Sequence, residues 1–440
     1  MSRFMEKKIL AVLLDSYERS RLFREGDSAR RIQFRPMERE EFAELAEQSD
    51  ARREFLDTAE ELAAEGLIEY DWVRYEEGNL IDRIFLRTEE AAVRQSYLRI
   101  GRVRKQAQLD VLESQVQAAL FRIESAFQKI EGKGDEKITA WLRAALEEIR
   151  CKRRIPRLFF KGEKDPESEK TAEEKNNRLL QFLELLAGNE DELLERVVST
   201  RLYGDSKYFE RVLRSKVLSV LRRIEEDGYA EELNEEELLG RYGIVRWPEI
   251  LEFTGPVVAM LDGGDGSLRK IDYRDEVYGA YINSDTVRHL TGVRLNGVSR
   301  ILTIENKANY ISYINGMMAA DELVIYHGGC YSPIKGRWLR LIAEEAEKGK
   351  IQVFHWSDID LGGFRIFVRL RDEIFSSLRP YKMDLETLEK YGDRCMPIDD
   401  QNYLDTLAGL EAKPEYEVFY EVIRKMCSEK IRLEQEAEIV

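Results

Sequence analysis

Three carboxylates follow strand-like runs in the C-terminal half of the chain. Glu305 ends the apolar, β-branched run at 301–304, and Asp358 and Asp360 follow the apolar run at 351–356. Because side chains alternate along an extended chain, the two aspartates point to the same face. Carboxylates gathered at one place cannot all stay ionised without a counter-charge. Oxygen ligands of this kind favour Mg²⁺ or Mn²⁺, so the pattern predicts a metal site.

A parallel α/β sheet is the element that must position these carboxylates. A third strand-like run, 323–326, lies between the other two, and helix-like segments at about 310–320 and 335–348 separate the three runs. Short strands that alternate with helices indicate a parallel sheet. In such sheets the functional crevice lies at the carboxyl ends of the strands, where all three carboxylates stand.

A glutamate after one strand and an Asp-x-Asp after a later one is the pattern of the Toprim domain. Three segments carry a closer match: 305–309 (ENKAN), 327–333 (HGGCYSP) and 356–364 (WSDIDLGGF). They resemble the Toprim nuclease subunits of the bacterial Wadjet anti-plasmid systems, the JetD family, which is related to the A subunit of topoisomerase VI. One departure is Ser357, where glycine is expected before the Asp-x-Asp. Serine is small and should leave the carboxylates undisturbed.

The resemblance implies a metal-dependent DNA endonuclease that cuts closed circular DNA. Asp358 and Asp360 would hold the metal, and Glu305 would be either a further ligand or the general base that activates water. Lys307 and Lys335 are candidates for contact with the scissile phosphate.

A basic pattern lies upstream of this site. The segment 201–210 (RLYGDSKYFE) resembles a second signature of the same family. Helical spacing predicts Lys207, Arg211 and Arg214 on one exposed face, which can neutralise phosphates of a duplex. An ordinary solvated basic face is the alternative, and the family match favours DNA contact.

No tyrosine stands where a topoisomerase nucleophile is expected. Tyr203 and Tyr208 come nearest, and neither belongs to an arginine-rich Tyr-Tyr motif. Water is therefore the predicted nucleophile. His327, beside two glycines, and His355, on a strand, are interpreted as structural residues.

Two other functions stay open at this point. One is a topoisomerase VI-like enzyme that cleaves DNA through a tyrosine, and the other is a non-catalytic DNA-binding or assembly subunit. The chain has no GxxxxGK[ST] phosphate loop, so ATP use would fall to partners. By resemblance these are an SMC-like ATPase, a kleisin and a kleisin-associated winged-helix subunit. The family also implies a homodimer that acts on double-stranded circular DNA.

Composition limits these interpretations. The chain has 440 residues, 43% hydrophobic and 35% charged, with a net charge of −16. That length predicts two to four domains. The negative net charge argues against a protein that binds nucleic acid over its whole surface, but it allows DNA binding through local basic faces. The four cysteines form no CxxC pair and are typical of a reducing cytoplasm, here a bacterial one by resemblance. The N-terminal apolar run at 9–14 is too short for a signal peptide or a membrane span.

The predicted fold is multidomain, α+β and α/β, with a parallel sheet in its last part. It has four regions: a winged-helix-like N-terminal domain at 1–88, a helical arm and linker at 89–190, a CAP or winged-helix-like DNA-binding region at 191–295, and a Toprim catalytic domain with C-terminal helices at 296–440. The winged-helix assignment of the first region depends on helices followed by a hairpin of 67–75 and 80–86. The arginines of this region are equally consistent with DNA contact and with a dimerisation or docking domain whose arginines are solvated. Apolar residues at three-, four- and seven-residue steps predict one long helix over about 89–131. A partner-binding or spacer arm is favoured for it over direct DNA contact.

Overall fold

A computed structural model describes residues 3–129, 136–161, 171–225, 233–329 and 331–438. The chain divides into two compact units, residues 1–184 and 185–440. Both units combine helices with sheets, so the predicted mixture of α and β structure is confirmed. Within the described residues, every helix is too short or too polar to cross a membrane.

The first unit packs helices against a three-stranded antiparallel sheet. Its elements are α1 Arg3–Arg19, α2 Arg21–Glu25, β1 Gln33–Phe34, α3 Glu44–Glu47, α4 Ser49–Ala64, β2 Ile68–Trp72, β3 Ile81–Leu86, α5 Glu90–Arg99, α6 Lys105–Lys129, α7 Glu136–Lys152 and α8 Ala172–Ala187. Short 3₁₀ helices lie at Pro36–Glu38 and Glu40–Phe42.

The core of this unit joins its first helices to the sheet. Ile9 and Leu13 of α1, Phe55 of α4 and Ile84 of β3 are buried in one apolar cluster. The sheet order is β1–β3–β2, and the antiparallel pairing of β2 with β3 confirms the predicted hairpin. The assignment of this arrangement as a winged helix stays a prediction.

The single helix predicted over 89–131 is wrong within the described residues. Two helices, α5 and α6, replace it. Gly101 lies between them with φ 67°, in the left-handed region. Its amide donates to the carbonyl of Leu98, and the next amide, that of Arg102, donates to Tyr97, which is a Schellman C-cap. Glycine has no Cβ to oppose this conformation, so the backbone turns although the apolar spacing continues.

The second unit is built on a six-stranded mixed sheet. Its helices are α9 Glu195–Tyr203, α10 Arg214–Ile224, α11 Glu235–Arg241, α12 Ser284–Arg288, α13 Lys307–Gly316, α14 Pro333–Gly349, α15 Leu361–Glu373, α16 Leu385–Lys390, α17 Gln401–Gly409 and α18 Tyr420–Glu429. Its strands are β4 Leu193–Leu194, β5 Ile244–Val245, β6 Ile250–Thr254, β7 Val258–Asp262, β8 Leu268–Asp272, β9 Ala280–Asn283, β10 Leu290–Arg294, β11 Arg300–Ile304, β12 Glu322–Tyr326, β13 Gln352–Trp356, β14 Arg379–Pro380, β15 Met396–Pro397 and β16 Ile431–Arg432. A π-helical turn, Phe209–Leu213, comes directly before α10.

The large sheet has the strand order β14–β13–β11–β12–β6–β9. β11 pairs in parallel with both β12 and β13, so the predicted parallel arrangement of the three apolar runs is confirmed. β6 and β9 extend the sheet antiparallel. Because these two strands lie within residues 250–283, the sheet crosses the boundary predicted at residue 296. A separate antiparallel sheet has the order β10–β7–β8.

Helices cover both faces of the parallel strands. Tyr310 of α13 packs with Leu302 and Ile304 on one face, and Phe367 of α15 contacts His355 on the other. Strands covered on both faces are mostly apolar at consecutive positions instead of at alternate ones. This explains why these strands appear in the sequence as short continuous apolar runs.

Candidate metal centre

Glu305 stands directly after β11, at the carboxyl end of the parallel strands. Its backbone amide donates to the carbonyl of Trp356 at 3.0 Å, so the ends of β11 and β13 are tied together at this residue. Its side-chain atom Oε2 is buried and has no hydrogen-bond partner among the described residues. A buried carboxylate oxygen without a partner is costly, unless a cation or a proton meets it.

The two aspartates after β13 are held by backbone amides. Asp358 Oδ1 accepts a hydrogen bond from the amide of Gln435 at 2.6 Å. Asp360 Oδ1 accepts one from the amide of Gly363 at 2.7 Å, which makes Asp360 the N-cap of α15. Each aspartate therefore has one oxygen already fixed in direction.

Burial raises the pKa of all three carboxyl groups, and neighbouring carboxylates raise the pKa of Glu305 and Asp358 further. Burial, and then the charges of Asp358 and Asp360, raise the pKa of Glu305 to about 8. Burial, and then the charge of Asp360, raise the pKa of Asp358 to about 7. Burial also raises the pKa of Asp360, against the opposing effect of the Gly363 amide. The structure thus brings the three predicted carboxylates together, and a divalent cation would offset both their burial and their repulsion. Their role as metal ligands stays a prediction.

The sequence analysis missed two further carboxylates at this site. Glu434 and Glu436 follow β16, and one oxygen from each lies with one of Asp358 in a group whose members are all within 4.8 Å of one another. Such a group can hold a cation. The signal in the sequence was an acid-x-acid pattern like that of Asp358 and Asp360. The residues near this pattern in the sequence do not indicate that it lies at the carboxyl ends of the parallel strands.

Lys307 begins α13, two residues after Glu305. Its ammonium group pairs with Glu252 of β6 and lies 4.6 Å from the centre of the Tyr326 ring. The Lys307 side chain is 41% exposed. It is therefore within reach of a ligand that approaches the strand ends.

Lys335, the other lysine predicted to contact the scissile phosphate, has a buried side chain, and its phosphate contact stays a prediction. It lies in the first turn of α14, is buried, and donates from its ammonium group to the carbonyl of His327. In this position it supports the loop after β12 instead of facing solvent. A direct contact between Lys335 and a phosphate would require that loop to move.

His327 and His355 lie in the interior, as the structural interpretation predicted. Both are fully buried, and their ring centres are 5.6 Å apart. Nδ1 of His355 is 2.7 Å from Oγ1 of Thr303. Burial lowers the pKa of His355 to about 3 and lowers that of His327 well below its ordinary value, so both rings stay neutral at physiological pH.

The predicted basic face is wrong at one of its three positions. Lys207 and Arg211 are exposed, and Arg211 pairs with Asp205. Arg214 is buried and pairs with Glu195 at 2.6 Å. Only two of the three cations can therefore meet a phosphate without a change in the fold.

A π-helical turn is the reason for that difference. The amide of Arg214 donates to the carbonyl of Phe209, five residues back, whereas an α-helix joins residues four apart. The extra residue rotates the positions after the turn relative to those before it. The spacing of 207, 211 and 214 therefore no longer defines one face.

Comparison with known proteins gives a family match over the region that contains these carboxylates. Residues 268–439 match the family described as Wadjet protein JetD, C-terminal, and this region contains all five carboxylates of the site. Over 435 residues the chain is 25% identical to the Wadjet protein JetD of Bacillus cereus (strain Q1), an alignment that covers 98% of each protein. The resemblance inferred from the motifs is confirmed, and it extends over nearly the whole chain.

Proposed function

We propose that this chain, which is similar to the Wadjet protein JetD of Bacillus cereus (strain Q1) over 98% of its length, is the DNA endonuclease subunit of a Wadjet-like defence system. It would use Mg²⁺ or Mn²⁺ to hydrolyse phosphodiester bonds in closed circular plasmid DNA. The observation that carries the proposal is the buried, partnerless Oε2 of Glu305 beside two aspartates with raised pKa values. Such a site at the carboxyl ends of parallel strands suits a divalent cation.

The donor set fits a hard divalent cation. The oxygens available come from Glu305 and Asp358, with Glu434 and Glu436 beside Asp358. Within the group of described residues able to hold an ion, every donor is a carboxylate, which suits Mg²⁺ or Mn²⁺ better than softer metals. When bound, the cation would supply charge stabilisation at the phosphate and activate water.

Glu305 is the residue suited to a proton transfer. Without a cation its pKa is about 8; a bound divalent cation would favour its ionised form, which can accept a proton. It either holds the cation or takes a proton from the attacking water. Asp358 and Asp360, held by the amides of Gln435 and Gly363, would keep the cation in place during the reaction.

Burial of two tyrosines supports water as the nucleophile. Tyr203 and Tyr208 are buried, with ring centres 4.9 Å apart. A hydroxyl held in the interior cannot attack a phosphate in line without rearrangement. A stable protein–DNA phosphotyrosyl adduct after cleavage would favour the topoisomerase VI-like alternative.

The proposed partners are those that the resemblance to the JetD family implies. ATP use would fall to an SMC-like ATPase with its kleisin and kleisin-associated winged-helix subunits, and the chain would act in the bacterial cytoplasm as a homodimer, since cutting two strands takes two sites. Lys207, Arg211 and Lys307, which are exposed or partly exposed, are the candidates for contact with double-stranded DNA.

Plasmid cleavage tests the proposal. The purified chain is incubated with closed circular plasmid and Mg²⁺ or Mn²⁺, with and without the partner subunits and ATP. Linear product is expected from the complete system and should disappear with Glu305→Ala. Glu415→Ala, which removes an exposed carboxylate of the same unit, is the matched control and should cut normally. If the complete wild-type system binds the plasmid but leaves it intact, the chain is a non-catalytic subunit.

A further inference from the structure

Gln435 is buried where the ends of β11 and β13 meet. It is 1% exposed, although glutamine is mostly a surface residue. Its side-chain Oε1 accepts a hydrogen bond from the amide of Asn306 at 3.0 Å, and its Nε2 donates to the carbonyl of Trp356 at 3.2 Å. One side chain therefore satisfies a donor after one strand and an acceptor at the end of the other.

The backbone of Gln435 makes two more contacts at the same place. Its amide donates to Asp358 Oδ1 at 2.6 Å. Its carbonyl accepts a hydrogen bond from Nδ2 of Asn309, a fully buried residue of α13, at 2.7 Å. All four polar groups of Gln435, two in the side chain and two in the backbone, thus form hydrogen bonds with residues around the carboxylates.

Leu433, which precedes Glu434, is paired with Ile359 in the loop that carries the two aspartates. Ile359, which stands between the two aspartates, donates its amide to the carbonyl of Leu433 at 2.9 Å and accepts from the Leu433 amide at 3.2 Å. Both side chains are 1% exposed. The backbone that carries Asp358 and Asp360 is therefore hydrogen-bonded directly to the C-terminal segment 433–436.

From these contacts we propose that Gln435 is a positioning residue of the metal centre, and that the segment 433–436 is part of that centre. The inference rests on the proposed function. Asp358 repels the carboxylates around it, so its direction must come from a donor. The backbone amide of Gln435 supplies that donor, and the side-chain hydrogen bonds of Gln435 to Asn306 and Trp356 hold the amide in place. Gln435 also fixes the separation of the two strand ends that carry Glu305 and Asp358. Groups that orient metal-ligating carboxylates in this way typically change metal affinity by about 10–100-fold when removed.

Metal binding by the purified chain, without DNA or partners, tests this role. Mn²⁺ affinity is measured by calorimetry for wild type, Gln435→Ala and Gln401→Ala. Gln435→Ala is expected to weaken Mn²⁺ binding by about 10–100-fold. Gln401 is exposed, and its side chain donates a hydrogen bond to Asp405. Gln401→Ala is therefore the matched control and should bind Mn²⁺ normally.

The variant Gln435→Met separates positioning from simple packing. Methionine is close to glutamine in size but can make neither the hydrogen bond to the Asn306 amide nor the one to the Trp356 carbonyl. Gln435→Met should therefore weaken Mn²⁺ binding, and the EPR spectrum of the bound Mn²⁺, which reflects the symmetry of its ligands, should differ from that of wild type. A folded Gln435→Met with wild-type Mn²⁺ affinity and spectrum would overturn the proposal, and this variant decides the question if Gln435→Ala does not fold.

Two outcomes keep this inference apart from the proposed function. If Gln435→Ala is folded by circular dichroism and binds Mn²⁺ like wild type while Glu305→Ala does not bind, the positioning role is wrong and the nuclease proposal stands. If wild type itself binds no Mn²⁺ and cuts no plasmid with its partners, the proposed function fails and the positioning role fails with it.

Discussion

A Cβ atom built on Gly363 would stand 2.2 Å from the carbonyl oxygen of Asp358. The contact is between backbone atoms, so no side-chain rotation can relieve it. The amide of the same glycine holds Asp360. Helix α15 can therefore begin this close to the aspartates only if residue 363 has no side chain, which links the position of a helix directly to the geometry of the carboxylates.

Gly363→Ala should both destabilise the protein and disturb the site. Forced backbone shifts of this kind cost about 1–3 kcal/mol, and the shift falls on Asp358. We expect a lower free energy of unfolding in urea and weaker Mn²⁺ binding. Gly409→Ala is the control, because Gly409 lies in helix α17 with open space around it. Gly363→Ala with wild-type stability would contradict the close contact.

The metal-free protein should lose stability as the pH rises. Folding raises the pKa of Glu305 to about 8 and that of Asp358 to about 7, so their contribution to stability is complete below about pH 4 and is lost as the pH rises through about 7 to 8. The free energy of unfolding, measured in urea with EDTA from pH 5 to 8, should fall over this range. The fall should be smaller in Glu305→Gln, and an equally steep fall in that variant would refute the assignment.

Divalent metal should reverse that loss. Because the cation binds the ionised carboxylates and competes with protons, the rise in melting temperature on adding Mn²⁺ should grow between pH 6 and pH 8. Differential scanning fluorimetry measures it directly. A Mn²⁺-induced shift that is the same at both pH values would show that these carboxylates are not the ligands.

Arg214 and Lys207 should separate stability from DNA binding. The Arg214 and Glu195 side chains are 10% and 6% exposed, so Arg214→Ala leaves a buried carboxylate unpaired, at a cost of about 3–5 kcal/mol. Lys207→Ala should change stability by less than about 0.5 kcal/mol but weaken binding of a labelled duplex, measured by fluorescence anisotropy. If Arg214→Ala unfolds like wild type in urea, its structural role is wrong.

Glu252 should restrain Lys307 through their ion pair. Removing the negative partner with Glu252→Gln should increase duplex affinity at low salt, and Lys307→Ala should reduce the slope of log affinity against log salt by about one. Anisotropy titrations over a series of NaCl concentrations measure both effects. Lys348→Ala, at an exposed lysine of α14 that also has a glutamate partner, is the control. Equal slopes for Lys307→Ala and wild type would exclude a phosphate contact.

Local patterns in the sequence determined the strands and the three predicted carboxylates. The runs before Glu305 and Asp358 are apolar because helices cover both faces of β11 and β13, and a short apolar run followed by an acid predicts a strand end in any parallel sheet. The hairpin in the first unit followed from the same kind of signal. These features depend on neighbours within a few residues.

Only the tertiary structure decided the rest. The left-handed backbone of Gly101 ends a helix although the apolar spacing continues beyond it. One π-helical turn places Arg214 in a buried ion pair instead of on the predicted exposed face. Gln435 reaches Asn306 across 129 residues of sequence, and its neighbours Glu434 and Glu436 arrive at Asp358 by the same return of the chain. Periodicity describes which face of an element is buried, but it carries no information on which distant segment will donate a hydrogen bond to it, so this half of the site was visible only once the chain was folded.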